Sequence, residues 1–115
     1  MIAVIFEVTP ASGRMQDYLD IAGPLRTDLE KIEGFISVER FQSLTNPDKL
    51  LSVSFFDSEA AVQAWRNLAS HREGQARGRS GLFASYRIRV AQVLRDYTLD
   101  ERAEAPEDSN RHFNL

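Results

Sequence analysis

The chain has 115 residues, 43% of them hydrophobic and 27% charged, which is the size and mix of one globular domain rather than of a fibrous, disordered or multidomain protein. A formal net charge of −3 speaks against a phosphate-binding surface, so nucleic acid is not an expected partner. The longest apolar run, Ile2–Phe6, is too short to span a bilayer, and the absence of cysteine excludes disulfides, thiolate metal sites and a cysteine nucleophile.

Without a basic stretch leading into an apolar one at the start, the expected location is the cytoplasm, away from any membrane. Met1–Thr9 reads as a strand that is apolar on both faces, with Ile2, Val4, Phe6 and Val8 pointing one way and Ala3, Ile5 and Glu7 the other. Beyond Pro10 and Gly13 the period changes. Met15, Tyr18, Ile21, Ala22, Leu25, Leu29 and Ile32 recur at helical spacing, with a kink expected at Gly23-Pro24 and an end at Gly34. Phe35–Ser43 and Lys49–Phe56 read as two strands joined by a tight turn through Asn46, Pro47 and Asp48, hence an antiparallel hairpin. Asp57 and Ser58 cap a second helix carrying Ala61, Ala64, Trp65 and Leu68. Ser70 and Glu73 have capping-box spacing, so a break at Ser70 and a new short helix are expected there. Ala84–Tyr97 reads as the last and longest strand.

The order β-α-β-β-α-β specifies an α+β, ferredoxin-like sandwich: a four-stranded antiparallel sheet with both helices on one face. Every strand has apolar residues on both faces, so the face without helices needs a cover. A second copy of the sheet is the simplest one, and a homodimer is expected. Residues 98–115 change to a charged, aperiodic composition; such a tail needs an anchor, for which Phe113 and Leu115 on the partner are the candidates.

No glycine-rich phosphate loop, HExxH or GxSxG occurs, and no metal-ligand set can be assembled from His71, His112 and the scattered carboxylates. Chemistry-bearing residues concentrate between Trp65 and Arg79: Trp65, His71, Arg72, Gln75, Arg77 and Arg79. Each has a plain structural reading beside the functional one. Trp65 fits core packing, His71 an exposed first helical turn, and the arginines solvated faces or pairs with Glu39, Glu73 or Asp96. Glu7 is odd on an apolar strand; it is expected either to pair with Arg40, Arg87 or Arg89 or to line a pocket.

Over residues 1–97 the chain resembles the antibiotic biosynthesis monooxygenase family of the dimeric α/β-barrel superfamily. The likeness rests on Glu33–Phe41, Leu51–Asp57, Ala64-Trp65 with His71-Arg72, and Tyr86–Val90. It implies residues 1–97 as the family domain, a tail at 98–115, and a dimer whose sheets face each other. It further implies a pocket between sheet and helices, and oxidation of a small phenolic, quinol or polyketide-like aromatic by molecular oxygen with no cofactor. In that frame Trp65 stacks on the substrate, His71 takes its proton and Arg72 stabilises the anion, with Glu7 and Gln75 as further binding positions. His71 can share a cavity with Trp65 only if the helix breaks; on one continuous helix Arg72 is the better candidate. A haem-degrading branch places an asparagine near Glu7 and a ligating histidine at Gln75, so this chain departs from it twice. The competing readings are a non-enzymatic dimeric binding protein and an isomerase or lyase.

Overall fold

The computed structural model describes residues 1–75 and 81–112, with residues 69–75 described by their backbone alone. The elements are β1 (Ile2–Pro10), α1 (Met15–Leu29), β2 (Phe35–Gln42), β3 (Leu50–Phe56), α2 (Glu59–Gln75), β4 (Phe83–Gln92) and α3 (Glu107–His112). One antiparallel sheet runs in the order β2-β3-β1-β4, the expected ferredoxin-like arrangement. No described helix is long and apolar enough to cross a membrane.

Alternation along the strands decides what the helices cover. Ile2, Val4 and Val8 of β1 are buried on the helix side, and Ala3, Ile5 and Glu7 take the other face. Through the register, Leu50, Ser52, Ser54 and Phe56 of β3 share the helix side, as do Val38 and Arg40 of β2 and Tyr86, Ile88 and Val90 of β4. The core on this side is split in two. At one end of the sheet Ile2, Val4, Leu29, Val38, Phe56, Ala61 and Val62 pack together; at the other, Val8, Tyr18, Ala22, Leu50 and Leu82 do.

Several element ends differ from the sequence reading, each for a local reason. α1 carries Pro24 inside it and stops at Leu29, five residues before Gly34; Lys31 and Ile32 then donate to the Asp28 and Leu29 carbonyls in tight turns. The expected break at Ser70 is absent, since α2 runs without interruption from Glu59 to Gln75. Its start is as expected, with the Ser58 hydroxyl accepting a hydrogen bond from the Ala61 amide at 3.2 Å. β4 ends at Gln92 rather than Tyr97: Gln92 pairs with Ile2, the first residue of β1, and the Val93 amide adds one bond to the Met1 carbonyl. The open face of β4 is also less apolar than expected, for it carries Arg87 and Arg89.

The tail is not aperiodic coil throughout. Arg102 ties it into a local unit, bonding Asn110, Ser109 and the Thr98 carbonyl while its guanidinium lies 5.0 Å from the Tyr97 ring. Phe113 and Leu115, the expected anchors, lie outside the described residues, as do Arg77 and Arg79.

Gly34 closes the turn into β2 with φ +91°, and a Cβ there would overlap the Asp57 carboxylate and meet the Ala61 Cβ at 3.0 Å. Both the backbone angle and the space demand glycine. Gly34→Ala is expected to lose about 2 kcal/mol of stability, measured by chemical denaturation, whereas Gly23→Ala, with open space around it, is expected to lose nothing.

Candidate functional site

Between the two apolar clusters a different row of side chains crosses all four strands on the helix side: Arg40 on β2, Ser52 on β3, Phe6 on β1 and Ile88 on β4. Ser52 sits on an inner strand beneath the helices and yet is only half-buried, as is Phe6. On the edge strand Ile88 remains 44% exposed, Val90 49% and Tyr86 59%. The helices therefore leave the sheet open along this seam, from its centre to the β4 edge.

Aromatic rings form one wall. Phe6 meets Tyr86 edge-on at 5.9 Å, Tyr86 meets Phe83 at 6.0 Å, and Phe83 meets Tyr18 at 5.9 Å. The polar end is made by Tyr18 of α1 and Arg40. Burial pushes the Tyr18 phenol above its usual 10.0, while the charge and hydrogen bond of Arg40 pull the other way and lose. Arg40 Nη2 donates to the Ala22 carbonyl at 2.8 Å, and its Nε is enclosed without a hydrogen-bond partner. An apolar, partly open wall that ends in a phenol and a guanidinium suits a flat organic molecule carrying a polar oxygen.

The expected site residues fall in different places. Trp65 lies half-buried against the first cluster, its ring 6.5 Å from that of Phe56, on the side of the sheet that bears the seam. Glu7 lies on the opposite face, so it does not converge with Trp65. Its carboxylate pairs with Lys49 at 3.5 Å and Arg89 at 3.3 Å, and Arg40, one of its expected partners, faces the other way. His71, Arg72 and Gln75 are all on the last turns of α2. On this continuous helix position 72 falls about 20° from position 65, and position 71 about 120° from it. The rotation that a break at Ser70 would have given His71 is therefore missing. Sequence reading missed Tyr18 and Arg40 as a pair. Their signal was parity, since Arg40 shares the inward face of β2 with Val38.

Residues 1–77 match the model of the antibiotic biosynthesis monooxygenase family, which is more than half of the chain. The chain belongs to this family. A jasmonate monooxygenase of Pyricularia oryzae is 43% identical over 81% of this chain, and the protein YqjZ of Bacillus subtilis is 34% identical over 59% of it. The chain spans only 43% and 58% of the lengths of these two relatives. Among solved structures, Rv0793 of Mycobacterium tuberculosis has the same fold, with a TM-score of 0.72 at 16% identity, covering 84% of this chain and 98% of that one.

Because the pKa of Tyr18 is raised in the folded state, the native chain keeps a proton that the unfolded chain releases near pH 10. Stability is then full below about pH 10 and falls as pH rises towards the folded value. Tyr18→Phe is expected to flatten that alkaline fall, measured as denaturation midpoints between about pH 8 and pH 11.

Proposed function

We propose that this member of the antibiotic biosynthesis monooxygenase family is a monooxygenase of a small phenolic, quinol or polyketide-like aromatic compound, active without a cofactor. The observation that carries the reading is the half-open seam, with aromatic rings along one side and Tyr18 and Arg40 at its end. Phenol oxidation fits so sparse a site. In the step from phenol to quinone one oxygen atom enters the ring and the other leaves as water, and the substrate supplies all four electrons. The protein must hold the ring, accept the phenolic proton and support the resulting anion. Trp65 belongs to the wall of this reading, with Arg72 as the anion-stabilising cation. The continuous α2 favours Arg72 over His71, which keeps the role of proton acceptor only if the helix end turns it inward. Gln75, seven positions past Leu68, is proposed to touch substrate at the far end of the same helix face. Glu7, on the other face, is proposed to act within the ion-pair network of the sheet instead of in the pocket.

The 43% identity to a jasmonate monooxygenase supports a second substrate reading. A jasmonate has no phenolic ring to give up electrons, so turnover of one would call for an electron source outside this chain. The two readings separate in one assay. Oxygen uptake with naphthalenediols and anthrones, against jasmonate, is expected to favour the aromatics, with one atom from labelled oxygen in the product. A ligand-binding protein without oxygen chemistry would bind some of these compounds and consume no oxygen with any of them, and that result defeats the enzymatic reading. Arg72→Ala is expected to lower turnover about 100-fold and His71→Ala about tenfold or less.

The working unit in this reading is a cytoplasmic homodimer in which residues 1–97 form the family domain and residues 98–115 dock on the partner. Ile5, Leu51, Val53 and Phe55 lie half-buried on the helix-free face beside Phe41, which is 45% exposed. The radius of gyration, 16.9 Å, exceeds the roughly 13 Å of a compact chain of this length, consistent with an arm reaching outward. Light scattering at micromolar concentration is expected to give twice the 13.0 kDa of one chain. A monomer would sink the dimer.

A further inference from the structure

Arg40 is a charged group that has no counter-ion among the described residues. It projects from β2 to the helix side, beneath α1, where it is half-buried. Among the described residues no carboxylate stands within ion-pair distance of it. The acid beside it is Tyr18, a phenol that is protonated at neutral pH and that burial pushes still higher, so it leaves the charge intact. The Nε–H is enclosed and has no acceptor. An arginine in such surroundings normally gains a carboxylate or a full set of hydrogen bonds, because removing its charge from water is costly without them.

A structural role accounts for only part of this. Nη2 staples β2 to the Ala22 carbonyl, next to the proline-bearing stretch of α1. A staple needs one donor, which a neutral amide supplies as well. It explains neither the unneutralised charge nor the orphaned Nε–H. The unpaired charge is explained if an anion from outside reaches the accessible part of this half-buried guanidinium.

We propose that Arg40 and Tyr18 form an anion receptor at the inner end of the seam, and that the substrate carries an acidic oxygen there. The guanidinium supplies the charge, and the phenol O–H donates a second hydrogen bond to the same oxygen. The apolar frame of the ligand lies over Ser52 and Phe6 towards Ile88, with Tyr86 alongside. From β2 to β4 the row spans three strand spacings, about 14 Å, which suits a frame of two or three rings with the acid at one end. This inference rests on the seam being where a small organic substrate binds. It adds that the substrate is an acid: a carboxylic acid, or a phenol acidic enough to bind as its anion.

The test uses binding, without turnover, on the full chain. Titration calorimetry compares 2-naphthoate with its uncharged methyl ester at pH 7. The parent is expected to bind the acid at least about tenfold more tightly than the ester, the size of a charge-assisted hydrogen bond. Arg40→Gln, which keeps a donor for the Ala22 carbonyl, is expected to bring the ratio to about one while leaving the ester affinity within about twofold. Tyr18→Phe is expected to reduce the ratio about fivefold. Should Arg40→Gln fold poorly, Arg40→Lys keeps the charge and is expected to retain part of the preference. Equal binding of acid and ester by the parent, no binding of the acid, or a preference that survives Arg40→Gln would each overturn the proposal. Absence of oxygen uptake alongside an intact acid preference would defeat the oxygenase reading and leave the anion receptor standing. Turnover of neutral substrates with no acid preference would do the reverse.

Discussion

Both crossovers in this chain join parallel strands, β1 to β2 over β3 and β3 to β4 over β1, and such connections are right-handed almost without exception. That handedness brings α1 and α2 to the same face of the sheet. The buried residues agree, since Ile2, Val4, Val8, Val38 and Phe56 all have the parity that faces the helices. Everything else in the molecule follows from this one-sidedness. One face has helices and a seam between them, the other has none, and the two faces must meet different needs.

On the helix side the notable choice is two serines in β3. Ser52 and Ser54 occupy the centre of the covered face, where Leu or Val would fill the space. Ser54 is buried and satisfies its hydroxyl on the Val4 carbonyl; Ser52 is left partly open. Small polar side chains here stop the two apolar clusters from merging, and Arg40 lies in the same row. A chain selected only for stability would close this gap with hydrocarbon, at a gain of about 1 kcal/mol for each added methylene. Leaving it open is the mark of a surface kept for something else.

How much of this was legible depended on whether the signal was periodic or contextual. Element order, the hairpin and the Ser58 cap were visible because alternation, turn residues and capping are local. The break at Ser70 was a local signal that misled. A serine and a glutamate three residues apart cap a helix only where the chain already leaves it, and inside a helix the serine costs only a few tenths of a kcal/mol while propagation continues. The end of β4 could not be read from β4 at all. Val93, Leu94 and Tyr97 continue the apolar pattern, but the ladder stops at the pair of Gln92 with Ile2, a residue far away in sequence. The partner of Glu7 was half legible: Arg89 was among the candidates, Lys49 was not, and Arg40 was excluded only by the alternation of β2. The pairing of Tyr18 with Arg40 joins a helix and a strand, which no spacing rule connects.

The charges on the two faces show the same division in another form. On the helix-free face Glu7 stands between Lys49 and Arg89, one acid with two bases, all partly exposed and with a net charge of about +1 that water solvates. Exposed pairs of this kind contribute little to stability, but they let a largely apolar face stay specific about what it meets, because a wrong neighbour leaves them unpaired. On the helix side Arg40 has no such company among the described residues. If its role were to hold the fold, the cheaper solution was already present on the other face, a base beside an acid in water. An unneutralised guanidinium under a helix is instead what a binding site looks like before its ligand arrives.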